Sequence, residues 1–118
     1  MFKFVCCMLL VLNVFAQGAS HKPQEFVASL KNDPKAGEKI YQQFCANCHA
    51  QKPLIPLGAP TIGDERAWTK RLSKGQEVLL KNTLDGYGAM PARGGCFECS
   101  DEQINMSIKY ITDSSMTH

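Results

Sequence analysis

Cys45-Ala46-Asn47-Cys48-His49 is the stretch on which the reading of this chain turns. Two thiols three positions apart stand on one turn of a helix, with an imidazole directly after the second. That spacing is the attachment pattern of a c-type haem. The thiols form thioethers to the two vinyl groups of one porphyrin, and the histidine is held beneath the iron as its proximal ligand. Cys45 and Cys48 are therefore candidate cofactor-binding residues, and His49 is a candidate axial ligand.

Upstream of the motif, Asp33-Pro34 has the form of a helix start, with the aspartate as N-cap and proline at the first helical position. Ala36, Ile40 and Phe44 then recur every fourth residue, giving one apolar face that ends on the cysteine pair. Gly37 shares that side, where a missing side chain lets another helix cross closely. Residues 20–33 form a polar lead in which Phe26, Val27 and Leu30 suggest a short helix. Before it, Met1-Phe2-Lys3 and the mostly apolar residues 4–16 have the layout of a secretory leader over residues 1–19, cleaved after about 16–19. The apolar run is shorter than the roughly 18–20 residues of a membrane span, so an uncleaved anchor is the lesser alternative. Cys6 and Cys7 read as apolar filler removed with the leader, and export places the remaining cysteines in an oxidising compartment.

Downstream, residues 52–63 carry three prolines and two glycines and read as a loop of irregular path. Asp64 is a cap for a helix through about Ser73 bearing Trp68 and Leu72, with Gly75 ending it. Residues 76–84 read as a further helix and residues 86–99 as a glycine-rich loop. Ser100 and Gln103 form a capping box that opens a last helix with Ile104, Ile108 and Ile111 on one stripe. No segment alternates convincingly as a strand, and the fold class is all-α. A processed chain of about 100 residues is small for a core of side chains alone; a buried porphyrin would complete it.

An iron bound by His49 needs a sixth ligand or an open site. Met106 falls off the apolar stripe of the last helix, at the surface or its boundary, and Met116 falls in a tail expected to fray. Met90 stands in Gly86-Tyr87-Gly88-Ala89-Met90-Pro91, where glycines allow close backbone approach and proline restricts the peptide before it. Met90 is thus the candidate distal ligand, against the plainer role of flexible core filler. A thioether opposite a histidine favours Fe(II), raises the reduction potential and closes the iron to oxygen, which suits electron transfer rather than catalysis.

Cys96 and Cys99 admit three readings. As a local disulfide they would close a very short loop, for about 2 kcal/mol or less. They could instead supply half of a zinc site with Cys45 and Cys48, but the separation is long for a compact zinc module. A thioredoxin-like redox pair would need a βαβ context that is missing. Trp68 is a core residue or a donor to a haem propionate, and Arg93 is a propionate partner or solvated. His21 and His118, near the termini, read as solvated. The formal net charge is +2, reduced by one if Lys3 leaves with the leader, and no basic run points to nucleic acid.

Gly37-Glu-Lys-Ile40-Tyr41 with the cysteine motif resembles the N-terminal helix of class I monohaem cytochromes c. Gly58-Ala-Pro-Thr-Ile-Gly-Asp64 with Trp68, and Ala89-Met-Pro-Ala-Arg-Gly-Gly-Cys-Phe-Glu-Cys-Ser-Asp-Glu102 with Tyr110, resemble the cytochrome c-5 subfamily of bacterial electron carriers. The resemblance runs from about Pro34 to Ile111. It implies a small cytochrome c fold over residues 34–113, with residues 114–118 as a tail and helices wrapped around one covalent haem c. The N- and C-terminal helices would cross where Gly37 and Tyr41 meet Ile108 and Tyr110. It further implies a Cys96–Cys99 disulfide, Met90 as distal ligand, and a proline carbonyl, here that of Pro60, accepting the His49 ring N–H. The loop from His49 to Gly58 is longer than in relatives, adding Pro53 and Pro56, and Ala92 stands where relatives often have proline. The function so implied is electron carriage in the periplasm by a monomer that is not an enzyme. Its partners would be redox proteins such as a membrane respiratory complex and a terminal oxidase or reductase, with peripheral membrane contact allowed. Two other classes stay open: a haem protein whose Met90 bond opens to a small ligand, and a colourless zinc module.

Overall fold

The computed structural model describes residues 22–116; the expected leader, Cys6, Cys7, His21 and His118 lie outside these residues. Helix α1 (Pro23–Ser29) opens with proline in its first turn and buries Val27, and Leu30 just past its end is buried too. Phe26 tilts against Phe44 at 6.4 Å between ring centroids. The polar lead thereby contributes apolar groups to the same core as the later helices.

Helix α2 (Ala36–Ile40) begins two residues after the expected start. The Asp33 carboxylate accepts the Lys35 N–H at 2.8 Å and its carbonyl accepts the Ala36 N–H at 3.0 Å, so residues 33–35 form a turn. Pro34 lies in that turn instead of in the first turn of α2. The first i to i−4 bond runs from the Lys39 N–H to the Lys35 carbonyl. From Ile40 the chain passes through a π-helical turn (Tyr41–Cys45) into α3 (Ala46–His49), with right-handed helical dihedrals at both junctions. Ala36 and Ile40 are buried and Phe44 is half-buried, as the apolar repeat requires.

Asp64 caps α4 (Glu65–Leu72) by accepting the Ala67 N–H at 3.0 Å. Gly75 then turns the chain at a φ of 98° into α5 (Gln76–Asp85), which presents Leu79, Leu80 and Leu84 to the core. The capping box of α6 (Asp101–Ser115) is complete: Ser100 Oγ accepts the Gln103 N–H at 3.1 Å, and Gln103 Oε1 accepts the Ser100 N–H at 2.9 Å. Ile104, Ile108 and Ile111 are buried as expected.

The most extensive packing in the fold is that of α2 on α6. A Cβ built on Gly37 would lie 2.6 Å from the carbonyl carbon of Met106, so the two backbones touch where the side chain is missing. One turn further along both helices, the Tyr41 and Tyr110 rings meet at 5.3 Å. The tyrosine contact falls where it was expected, whereas Gly37 abuts Met106 instead of Ile108. Helix α6 also runs on into the expected tail. Ser115 is buried one turn after Ile111, and Met116 packs half-buried beside Tyr41, Trp68 and Ile111. Small hydroxyl residues allow this because each satisfies itself within the helix: Ser115 Oγ donates to the Ile111 carbonyl at 2.6 Å. The described residues are all-α, apart from an isolated bridge between Tyr87 and Met90, and none of their helices is long and apolar enough to cross a membrane.

Candidate functional site: a haem-attachment helix and its two flanking loops

Helix α3 carries the motif to its end, so the last ring of the α2–α3 run is that of His49, which is buried. The chain then folds back. The Ile62 N–H donates to the His49 carbonyl at 2.7 Å, and His49 Nδ1 lies 2.7 Å from the Pro60 carbonyl oxygen. A carbonyl only accepts, so Nδ1 carries the ring proton and Nε2 keeps the lone pair that a metal ligand needs. The Pro60 contact anticipated from the sequence is therefore present despite the lengthened loop.

Cys45 and Cys48 are unpaired thiols, both half-buried. Burial, and secondarily the neighbouring Cys48, pushes the Cys45 thiol up to about 12. It is a protonated group, unlike the activated thiolate of a redox or catalytic cysteine. Cys96 and Cys99 are bonded to each other, with Cα atoms 5.4 Å apart, and are buried. A four-thiolate zinc site therefore lacks half of its donors.

Met90 stands on the other loop. Tyr87 and Met90 exchange backbone hydrogen bonds at 3.1 and 2.9 Å, closing a two-residue turn that holds the methionine half-buried at its base. The 3₁₀ segment that follows (Ala92–Gly95) packs against the Tyr41–Cys45 turn, bringing the methionine loop to the attachment helix. A Cβ on Gly94 would lie 3.7 Å from the Met90 methyl carbon, so the thioether runs beside that segment.

Two side chains have partners other than those expected. Trp68 is a core residue, but its Nε1–H donates to the Thr61 carbonyl at 2.9 Å, which removes it as a free donor for a propionate. Its ring packs on His49 at 5.9 Å. Arg93 has protein partners: its guanidinium donates to the Cys99 carbonyl at 2.6 Å and pairs with Asp101 at 2.9 Å. Left-handed backbone at Arg93 and Gly94 (φ 58° and 59°) turns the segment over the disulfide, which puts the guanidinium within reach. Ser115 was missed from the sequence altogether. Its hydroxyl accepts the Gly63 N–H at 2.9 Å, across 52 residues, and no local signal marks such a bond.

These residues fit a covalent haem. The two thiols are unbonded and three positions apart, and the imidazole is oriented through Nδ1 with Nε2 left over. Phe44, Leu72, Leu80 and Leu84 pack on the core with only part of their surface covered. No buried side-chain polar atom among the described residues is left without a partner to suggest some other ligand.

Residues 32–111 match the family described as cytochrome C oxidase, cbb3-type, subunit III. Cytochrome c-555 of Chlorobaculum thiosulfatiphilum is 36% identical over 87 residues, covering 70% of this chain and 98% of that protein. Cytochrome c5 of Ectopseudomonas mendocina is 33% identical over 87 residues, covering 72% and 97%. Among solved structures, a chain from an electron transfer complex of nitrite reductase with cytochrome c is 38% identical with a TM-score of 0.63, covering 71% of this chain and 98% of that one. Taken with the attachment helix, these likenesses mean that the chain belongs to this cytochrome c family, as a class I monohaem cytochrome of the c5 type that holds one covalent haem c and carries electrons instead of acting as an enzyme.

Proposed function

We propose that the protein is a periplasmic carrier of single electrons between respiratory-chain redox partners. Cys45 and Cys48 would hold the haem through thioethers, and His49 and Met90 would ligate its iron. The observation that carries this reading is the His49 Nδ1–Pro60 hydrogen bond, which orients the ring and leaves the Nε2 lone pair for a metal. When bound, the haem supplies a one-electron Fe(III)/Fe(II) couple. The chain's own contribution is placement. The Pro60 carbonyl makes His49 a more basic ligand, and the hydrogen-bonded turn at Tyr87 and Met90 presents a thioether from the opposite loop. The Cys96–Cys99 bond and the Arg93 guanidinium stiffen the segment just after it.

Partner contact is supported by the loop that follows His49. Leu54 is 84% and Leu57 59% exposed there, with Ile55 also open to solvent. The Ile55 N–H donates to the Asn47 carbonyl at 2.9 Å, which ties this apolar loop to the attachment helix. A membrane respiratory complex on one side and a terminal oxidase or reductase on the other are the partners proposed. The electron transfer complex that contains the structural relative, with nitrite reductase, supports a redox protein of this kind.

The test is the visible spectrum of protein exported with the haem-attachment machinery, oxidised and reduced, before and after acid–acetone extraction. Haem retained by the protein, with sharp reduced bands and a weak far-red sulfur–iron band when oxidised, is the expected result. A missing sulfur band, together with carbon monoxide binding to the reduced form at neutral pH, would remove Met90 and make the protein a ligand-binding haem protein.

A further inference from the structure

Four consecutive residues, Pro60, Thr61, Ile62 and Gly63, each spend a backbone group on a separate anchor. The Pro60 carbonyl accepts from the His49 ring at 2.7 Å. The Thr61 carbonyl accepts from Trp68 Nε1 at 2.9 Å. The Ile62 N–H donates to the His49 carbonyl at 2.7 Å, and the Gly63 N–H donates to Ser115 Oγ at 2.9 Å. Ser115 and Trp68 are both buried, and Ser115 is itself tied down by donating to the Ile111 carbonyl. The carbonyl that orients His49 is thus flanked by two side chains from outside the loop, one on α4 and one on the last residue of α6. Without them, Pro60 would be held by the Ile62–His49 bond alone on that side, within a loop holding two further prolines at positions 53 and 56 and exposed for much of its length.

We propose that Trp68 and Ser115 are positioning residues for the proximal histidine. By clamping residues 61 and 63 they fix the Pro60 carbonyl against His49 Nδ1, and through that bond they set the electron balance at the iron. The inference rests on His49 being the axial ligand. A strong Nδ1–H to carbonyl bond leaves the imidazole electron-rich and favours Fe(III). Releasing the carbonyl weakens that bond and favours Fe(II), so the potential rises. The end of α6 is then an electronic control point as well as a packing element.

The experiment compares Ser115→Ala, Trp68→Phe and Thr112→Ala holoproteins by redox titration. Thr112 is a control from the same turn of α6: it is buried, and its hydroxyl donates within the helix to the Lys109 carbonyl at 3.2 Å. Weakening one hydrogen bond should shift the reduced-to-oxidised ratio at a fixed applied potential by roughly three- to tenfold toward reduced in Ser115→Ala and Trp68→Phe. Tenfold corresponds to about 59 mV for one electron. Thr112→Ala should lose stability with no shift. In the reduced proteins, the His49 Nδ1 proton followed by NMR should exchange with solvent faster in the two clamp variants only.

Wild-type potential and wild-type proton exchange in both clamp variants, with stability lowered, would overturn the proposal and leave these residues a purely structural role. The ligand reading fails separately: wild-type His49 ring protons without the large upfield displacement that a haem face imposes would show that His49 is not beneath the iron.

Discussion

Gly37→Ala is the substitution for which the structure gives the clearest sign. In an exposed helix interior, alanine for glycine stabilises by roughly 0.5–1 kcal/mol. Here the new methyl would stand 2.6 Å from the Met106 carbonyl carbon, and that atom is backbone, which cannot rotate away. Restoring ordinary contact at about 3.4 Å or more requires α2 and α6 to separate by nearly 1 Å. A gap of that size forfeits about a quarter to a half of the dispersion energy between groups facing across it. Overpacking of this kind costs typically about 1–3 kcal/mol, so propensity offsets only part of it. The net expectation is a loss of about 1–2 kcal/mol, which in a domain of this size lowers Tm by roughly 5–15 °C. Thermal unfolding of the holoprotein, followed by helical circular dichroism and by the haem absorbance, reads this directly. A variant as stable as the parent, or more so, would refute the argument, because it would mean that the two helices do not cross in backbone contact at Gly37 and Met106.

Replacing Cys96 and Cys99 together by alanine should lower stability by about 2 kcal/mol or less, since the closed loop is so short; urea unfolding at constant m checks it, and a loss well above that would show that the bond also shapes the native loop. Burial first, then Tyr110 and Cys45, raises the ionisation of Tyr41 above its usual 10.0. Its neutral form therefore contributes stability that is complete below pH 10 and is lost as pH rises through the raised value. Tyr41→Phe should flatten the alkaline fall of stability and remove one tyrosine that titrates above pH 10 from the ultraviolet difference spectrum. Asp33 shifts the opposite way, held below its usual 3.8 first by the hydrogen bond from Lys39 and then by the Lys35 N–H. Its contribution is present above pH 4 and is lost on further acidification, so Asp33→Asn should be less stable near neutrality and converge with the parent in acid urea titrations.

What could be read from the chain alone was local. The capping box of α6 needs only residues 100 and 103, the cap of α4 only residues 64 and 67, and both are present as read. The attachment motif is local too, whereas the Pro60 carbonyl followed from the family resemblance, its contact with His49 closing over eleven residues. Side chains with distant or competing partners were not. Trp68 is the core residue it was read as, but the bonds from its ring N–H to the Thr61 carbonyl and from Arg93 to the Cys99 carbonyl had no local signal. Asp33 looked like a helix cap because aspartate before proline often is one, yet its carboxylate satisfies Lys35 two residues on and delays the helix. Ser115 looked like frayed tail because serine carries no apolar signal. Its burial depends on Gly63, which the fold alone brings near.

The π-helical turn at Tyr41–Cys45 divides the motif helix into two registers. An inserted residue advances everything after it by about 100° around the axis. Ala36, Gly37 and Ile40 therefore keep the register that packs on α6, while Cys48 and His49 stand about that angle from where a regular helix would put them. A single-residue deletion between positions 41 and 44 would leave a more regular helix that packs well at its start. It would also swing the thiol pair and the imidazole about a quarter-turn out of phase with the methionine loop. In this chain a slight irregularity of winding acts as the angular coupling between a packing surface and a reactive one.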